Sequence, residues 1–498
     1  MNIRLMLAPL LSAAALCHAR AAMSCENLGS LALPDTTITV AQSIAANPPP
    51  NIPAGLKDLP AFCRVAATLK PTADSDIKIE VWLPASGWNG KFQAVGNGGW
   101  AGSINYAAMG QELQRGYATS STDTGHTGGS GSFALGHPEK VIDFGYRSEH
   151  EMTVKAKAII EAFYGRAPRF SYWNGCSTGG RQGLKEAQRF PGDYDGIMAG
   201  APANPRTRLA FATLWIAHAV LKDPASYIPP EKYPMIHLAV LNACDALDGV
   251  KDGILADPTR CHFDPQVIAC KDAEGPACLT AAQVETVKKI LSPSRNPRTG
   301  EEIYPGLEPG TELRWGTLAG RQPFPVTIDH FKYVVFKDPN WDWRTLNFDS
   351  DVALADKIDS ETINATDTNL KPFFARNGKL LLYHGFNDQN VAPRSTINYY
   401  KRVVDTLGGE ARTTESIRLF MAPGMGHCGG GEGPNTFDVV SAMEQWRENG
   451  KAPDRMVASH RAAGKIDRTR PLCPYPQVAK YKGTGSTDDA ANFVCELP

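Results

Sequence analysis

Phe170-Ser171-Tyr172-Trp173-Asn174-Gly175-Cys176-Ser177-Thr178-Gly179-Gly180-Arg181 decides the fold. Phe170 to Trp173 has the aromatic-rich composition of a short strand, Gly175 to Gly179 that of a tight turn, and Arg181 to Arg189 that of a helix. The turn is G-x-S-x-G. Its glycines let the chain reverse sharply between strand and helix, which lifts the Ser177 hydroxyl above the edge of a sheet. The pentapeptide alone is common in ordinary Gly/Ser turns; its placement after a strand and before a helix is what gives it weight.

Upstream, Asp76 to Leu83 alternates like a strand, and Lys91 to Val95 is a second strand that runs into Gly96-Asn97-Gly98-Gly99-Trp100. Ser148 to Tyr164 has apolar residues at helical spacing: Met152, Val154, Ala158, Ile159 and Phe163. Downstream, strand signals return at Lys379 to Tyr383 and Ile417 to Met421. Alternating strands and helices predict an α/β fold of the α/β-hydrolase kind. Residues 204–370 lack that alternation. They carry prolines, cysteines and aromatics such as Trp215, Phe324, Phe331, Tyr333, Trp341 and Trp343, and read as a large inserted lid. The expected division is a signal segment at 1–22, a catalytic domain from 23–203 and 371–498, and the lid at 204–370.

A serine hydroxyl is a weak nucleophile near neutral pH and needs a base, whose tautomer a carboxylate must fix. In this fold the order along the chain is Ser, Asp or Glu, then His. Asp388 follows the Lys379 strand in His384-Gly385-Phe386-Asn387-Asp388, and His427 follows the Ile417 strand in Gly424-Met425-Gly426-His427-Cys428. Ser177, Asp388 and His427 are therefore the expected nucleophile, orienting acid and base. His126 also sits in a glycine-rich loop but precedes the serine, the wrong order for the base, and His384 reads as a supporting residue. The expected oxyanion donors are the N–H of Thr178 and one from the glycine loop, Gly98 or Gly99. Gly96, Gly98 and Ala101 mimic a dinucleotide fingerprint, but Ser103 to Tyr106 does not read as the helix start that fingerprint requires.

With 51 basic against 52 acidic side chains, no overall field draws in nucleic acid or an anionic membrane. Arg4, the apolar run Leu5 to Leu16 and Ala19-Arg20-Ala21 form a secretory signal pattern, with cleavage expected near Ala21 or Ala22. An apolar run of about 12 residues is too short for the roughly 20 that span a bilayer. A lipoprotein signal ending at Cys17 is disfavoured by bulky Leu16. Ten cysteines then remain, an even number that in an exported chain points to disulfides, periplasmic or extracellular. Cys176 and Cys428 flank the proposed nucleophile and base, and would come within disulfide range if Ser177 and His427 meet. The sequon Asn364-Ala365-Thr366 matters only in a glycosylating host.

Cys244-Asp245-Ala246-Leu247-Asp248-Gly249-Val250-Lys251-Asp252-Gly253-Ile254 crowds three carboxylates onto a turning loop. Hard oxygen donors of this kind suit calcium, although the spacing is not that of an EF-hand and Asp-Gly is first of all a turn signal.

WNGKFQAVGNGGWAG, STDTGHTG, GCSTGGRQGLKEAQRFPGDYDGIMAGAPA, CDALDGVKDG, YHGFNDQNVAP and GMGHCGGG together resemble the tannase and feruloyl esterase family, which includes mono(2-hydroxyethyl) terephthalate hydrolases. The likeness spans nearly all of the mature chain. It implies five disulfides: Cys176 with Cys428, Cys25 with Cys63, Cys244 with Cys261, Cys270 with Cys278, and Cys473 with Cys495. It also implies a structural calcium ion in the lid, held by Asp245, Asp248 and Asp252 with the carbonyls of Val250 and Ile254. The implied activity is hydrolysis of small aromatic esters through an acyl-serine, with a terephthalate monoester hydrolase or a catalytically silent binding protein as alternatives. The insert is compact against the longest lids of the family, so the acyl pocket does not carry over; Trp341 and Trp343 are candidates to face an aromatic acyl group, against simple packing inside the lid.

Overall fold

The computed structural model describes residues 22–47 and 58–498. Apart from Ala22, the expected signal segment lies outside them. Nine strands form one mixed sheet: β1 (Thr36–Ile44), β2 (Phe62–Leu69), β3 (Ile77–Pro84), β4 (Lys91–Val95), β5 (Ala118–Thr122), β6 (Phe170–Cys176), β7 (Gly196–Gly200), β8 (Lys379–Gly385) and β9 (Ile417–Ala422), in the order β1-β2-β3-β5-β4-β6-β7-β8-β9. Strands β1, β2, β3 and β5 pair antiparallel; from β5 through β4 to β9 every pairing is parallel. Parallel neighbours require crossovers. Helices Ser148–Tyr164, Thr178–Arg189 and Pro393–Thr406 supply three of them. This is the α/β-hydrolase arrangement, with the parallel strands all pointing their C-terminal ends to one edge.

The period of two along each strand sends alternate side chains to opposite faces. Trp173, Ile197, Leu380 and Leu382 join Leu184, Ile159 and Val403 in a core on one face. Tyr172, Met198, Leu381 and Phe420 meet Val440, Met443 and Trp446 of helix Val439–Asn449 on the other. Covered on both faces, β7 is apolar or glycine throughout and fully buried, as a central parallel strand must be.

Two elements differ from the sequence reading. A helix, Tyr106–Gln114, follows the glycine loop where none was expected; the Asn105 side chain accepts from the Ala108 N–H at 3.3 Å and caps it. The segment between β7 and β8 is also more helical than its composition suggests, with helices Arg206–Leu221, Tyr233–Cys244 and Ala281–Leu291. The first of these places Ala212, Ile216 and Val220 in one apolar cluster and Phe211, Leu214 and Ala217 in another. A helix buried on two sides has no single apolar stripe, so its periodicity is hidden.

Trp341 packs against Phe336 and Phe331, with ring centroids 4.9 and 5.3 Å apart, and Trp343 meets His218 edge-on at 5.0 Å. Both tryptophans are half-buried and pack against the apolar cluster of the insert, the packing alternative rather than contact with an acyl group. Five disulfides close, Cys25–Cys63, Cys176–Cys428, Cys244–Cys261, Cys270–Cys278 and Cys473–Cys495, with Cα separations from 4.9 to 5.9 Å.

Candidate active site

Ser177, Asp388 and His427 all lie just past the C-terminal ends of parallel strands, after β6, β8 and β9 respectively. Ser177 itself has φ 62° and ψ −120°, a conformation that costs a non-glycine residue on the order of 1–3 kcal/mol. The turn is held in place from both sides. The Ser177 N–H donates to Gly200 O at 2.9 Å, and its carbonyl accepts from the Arg181 and Ala203 N–H groups. Gly175 must be glycine here, since a Cβ on it would stand 2.6 Å from Gly179 O.

Asp388 is fully buried. Its Oδ1 accepts from the backbone N–H groups of Asn390 and Val391, at 2.8 and 2.9 Å. Its Oδ2 faces His427 Nδ1 at 2.7 Å and His384 Nε2 at 3.0 Å. Burial pushes the Asp388 pKa up, but the charge of His427 and the hydrogen bonds from His384 and His427 outweigh it and hold the carboxyl well below its ordinary range. For His427 burial pushes downward, and Asp388 more than offsets it, so its pKa lies above the ordinary histidine value.

Tautomers follow from the partners. Nδ1 of His427 meets a carboxylate and must carry the proton, which leaves the Nε2 lone pair free for proton abstraction. His384 Nε2 faces two acceptors, Asp388 Oδ2 and Val391 O, while its Nδ1 lies 2.7 Å from Thr396 Oγ1. It donates to the same carboxylate oxygen that His427 reaches, the support expected of it.

Ser177 and His427 line one cavity of about 700 Å³, together with Cys176 and Cys428. The Cys176–Cys428 bridge joins the residue before the serine to the residue after the histidine, with Cα atoms 5.9 Å apart. Thr178, Gly98 and Gly99 line the same cavity. Thr178 opens helix Thr178–Arg189, where the first N–H groups have no acceptor within the helix. The glycine loop is tied beside it: Gly179 N–H donates to Asn97 O at 2.8 Å, and Thr178 Oγ1 to Gly99 O at 2.9 Å. His126 is placed elsewhere. Its Nε2 donates to Trp100 O at 2.8 Å and its ring stacks on Phe133, so it supports the back of the loop.

The far wall comes from the insert. Phe324, Val326, Thr327, His330, Leu209 and Arg206 face the cavity, and of these only Phe324 stood out in the sequence. No periodicity marks the others, because a cavity wall is assembled from single residues of several elements.

In the acid loop, the carboxylates of Asp245, Asp248 and Asp252 accept backbone N–H groups of Gly253, Val250 and Ile254. The remaining oxygen of Asp245, Oδ1, is buried without a partner. Burial, and then repulsion from Asp252 and Asp245, raises the Asp248 pKa to about 6. Arg470, from the hairpin Met456–Ala462/Lys465–Leu472, reaches Asp252 Oδ2 at 2.5 Å, with both side chains buried. Among the described residues no three His, Cys, Asp or Glu side chains close into an ion-binding group by themselves. Any ion here would draw on main-chain oxygens as well. An orphaned buried carboxylate oxygen among mutually repelling neighbours fits a hard cation that takes both kinds of donor.

The family model described as "Tannase and feruloyl esterase" matches residues 63–496. An uncharacterized esterase of Xanthomonas campestris pv. campestris is 42% identical over 539 residues, covering 97% of this chain and 92% of its own length. A probable feruloyl esterase B-2 of Aspergillus terreus is 37% identical over 459 residues, covering 87% and 86%. Among solved structures, feruloyl esterase B from Aspergillus oryzae superposes with a TM-score of 0.89 at 32% identity, over 95% of this chain and 99% of that one. Tannin acyl hydrolase from Aspergillus niger shares the fold, with a TM-score of 0.76 at 22% identity over 93% and 90%.

Proposed function

The chain belongs to the tannase and feruloyl esterase family, and from that premise we propose that this carboxylic ester hydrolase cleaves esters of hydroxycinnamic or gallic-type acids, with Ser177 as nucleophile. His427 Nε2 takes the Ser177 proton as Oγ attacks the ester carbonyl, and Asp388 steadies the imidazolium that forms. The oxyanion is met by the N–H of Thr178 and that of Gly98 or Gly99, a donor pair of which each member is typically worth about 10²–10³ in rate. His427 then returns the proton to the leaving alcohol, and water admitted in its place releases the acid from the acyl-serine.

The observation that carries this reading is the hydrogen bond from His427 to buried Asp388, with the imidazole on the same cavity wall as Ser177. A relative and a solved structure named as feruloyl esterases favour phenolic acids over a terephthalate monoester. The test is turnover of methyl ferulate, methyl gallate and the terephthalate monoester by the wild type and by Ser177→Ala. Hydrolysis of one of the first two, abolished by the substitution, supports the proposal. Turnover of the terephthalate ester alone, or turnover that survives in Ser177→Ala, would refute it.

Asp245, Asp248 and Asp252, with the carbonyls of Val250 and Ile254, would hold calcium at the junction of the insert and the C-terminal hairpin, in a structural role. We further propose export. The five disulfides support it, and among the described residues no helix is long and apolar enough to cross a membrane. The intact mass of the protein recovered from periplasm or medium would start near Met23; a full-length cytoplasmic product contradicts export.

A further inference from the structure

Arg206 and His330 stand at the insert side of the catalytic cavity with most of their hydrogen-bonding capacity unused. Arg206 is the first residue of helix Arg206–Leu221 and is 5% exposed. Its Nη1 lies 3.4 Å from Thr178 Oγ1, while Nε and Nη2 are buried without a partner. No carboxylate pairs with it among the described residues. His330 is 2% exposed, and neither of its ring nitrogens has a partner. The Trp100 ring connects the two: the guanidinium lies 4.1 Å from its centroid, and the imidazole stacks at 6.2 Å. Both line the cavity that holds Ser177. Buried donors left unmet are costly, and native proteins keep them where something else completes them.

We propose that Arg206 and His330 form a recognition pair for a hydroxyl group on the aromatic ring of the acyl moiety, Arg206 donating to the hydroxyl oxygen and a ring nitrogen of His330 accepting its proton. This rests on the ester-hydrolase reading above and narrows the substrate. A guanidinium offers donors only, whereas a neutral imidazole offers one N–H and one lone pair. Burial, and then the charge of Arg206, pushes the His330 pKa down to about 3, so the ring is neutral. A carboxylate only accepts, so it would take the guanidinium and imidazole N–H groups and leave the ring's lone pair unmet. A phenolic hydroxyl both accepts and donates, which satisfies the two side chains together. Phe324 and Val326 supply apolar surface for the ring that carries it.

Binding to the Ser177→Ala protein isolates this question from turnover. Calorimetric affinities for methyl 4-hydroxycinnamate, methyl cinnamate and monomethyl terephthalate should place the hydroxylated ester about 10-fold or more ahead of its deoxy analogue. That preference should vanish on adding Arg206→Met and fall on adding His330→Phe. Equal affinities for the hydroxylated and deoxy esters, or tightest binding of the carboxylate, would overturn the proposal. The comparison within Ser177→Ala alone decides it even if a second substitution does not fold. A hydroxyl preference in this variant, alongside a wild type that hydrolyses neither methyl ferulate nor methyl gallate, would sink the substrate assignment and leave the pair standing. Equal binding alongside normal turnover would do the reverse.

Discussion

Asp388 holds two histidines with one oxygen, and the two contacts predict different effects when broken. In Asp388→Asn the amide no longer fixes the Nδ1–H tautomer of His427, and kcat should fall by about 10⁴, as in other triads. The remaining activity should have its acid limb at lower pH. The base works only when neutral, so kcat/KM is lost as pH falls through the His427 pKa, which Asp388 holds above the ordinary histidine value. Removing the carboxylate lowers that pKa, so the pH–rate profile shifts to the acid side; an unmoved limb would separate it from His427. His384→Phe removes one donor to the buried carboxylate while keeping the ring volume. We expect a fall of about 10- to 100-fold in kcat with little change in KM, measured on one ester. At this scale the sequence was informative for chemistry that follows a motif: Ser177, Asp388 and His427 could be read from order and loop context. It was silent on Arg206 and His330, whose significance lies in unmet hydrogen bonds that only the packed cavity reveals.

The elements around the site are locked by close approach. A Cβ at Gly175 would stand 2.6 to 2.8 Å from the Gly179 backbone, so neither strand β6 nor helix Thr178–Arg189 can relieve it without moving Ser177. Gly175→Ala should therefore cost about 1–3 kcal/mol in a denaturant titration and lose most activity, whereas a wild-type-like unfolding midpoint would show that the turn relaxes. The Cys176–Cys428 bridge ties the loop after β9 to the turn after β6 across a sequence separation of 252, worth up to about 5 kcal/mol in the chain-entropy model. Replacing both cysteines by serine should lower kcat as well as the thermal midpoint, since the bridge keeps base and nucleophile in register. Strands were the most legible elements: β4 has the limits expected, and β8 and β9 run two residues and one residue further. The helix Thr178–Arg189 begins three residues before the expected Arg181, because Thr178-Gly179-Gly180 has little intrinsic helix preference and is held by packing against Asn97 and Gly200 instead. Helix Arg206–Leu221 was hidden by burial on two sides.

On the scale of the whole molecule, the insert and the C-terminal hairpin meet at the acid loop, where Asp252 is bridged by Arg470 and approached by Arg468. If calcium completes that junction, it stabilises the folded chain by mass action. Treatment with a chelator should lower the thermal midpoint by several degrees, and added calcium should restore it; the same midpoint with and without chelator contradicts the site. The acids of this loop stand together in one stretch of sequence, whereas Arg470 lies 218 residues beyond Asp252 and meets it only through the fold. In the proposed mechanism one hydroxyl out of the whole molecule is activated. Reaction with an alkyl phosphonate ester, followed by peptide mass spectrometry, reads this out: one phosphonyl group per chain on the peptide containing Ser177, lost in His427→Ala, is the expected result. Label on a different serine, or an active enzyme that takes up none, would contradict it.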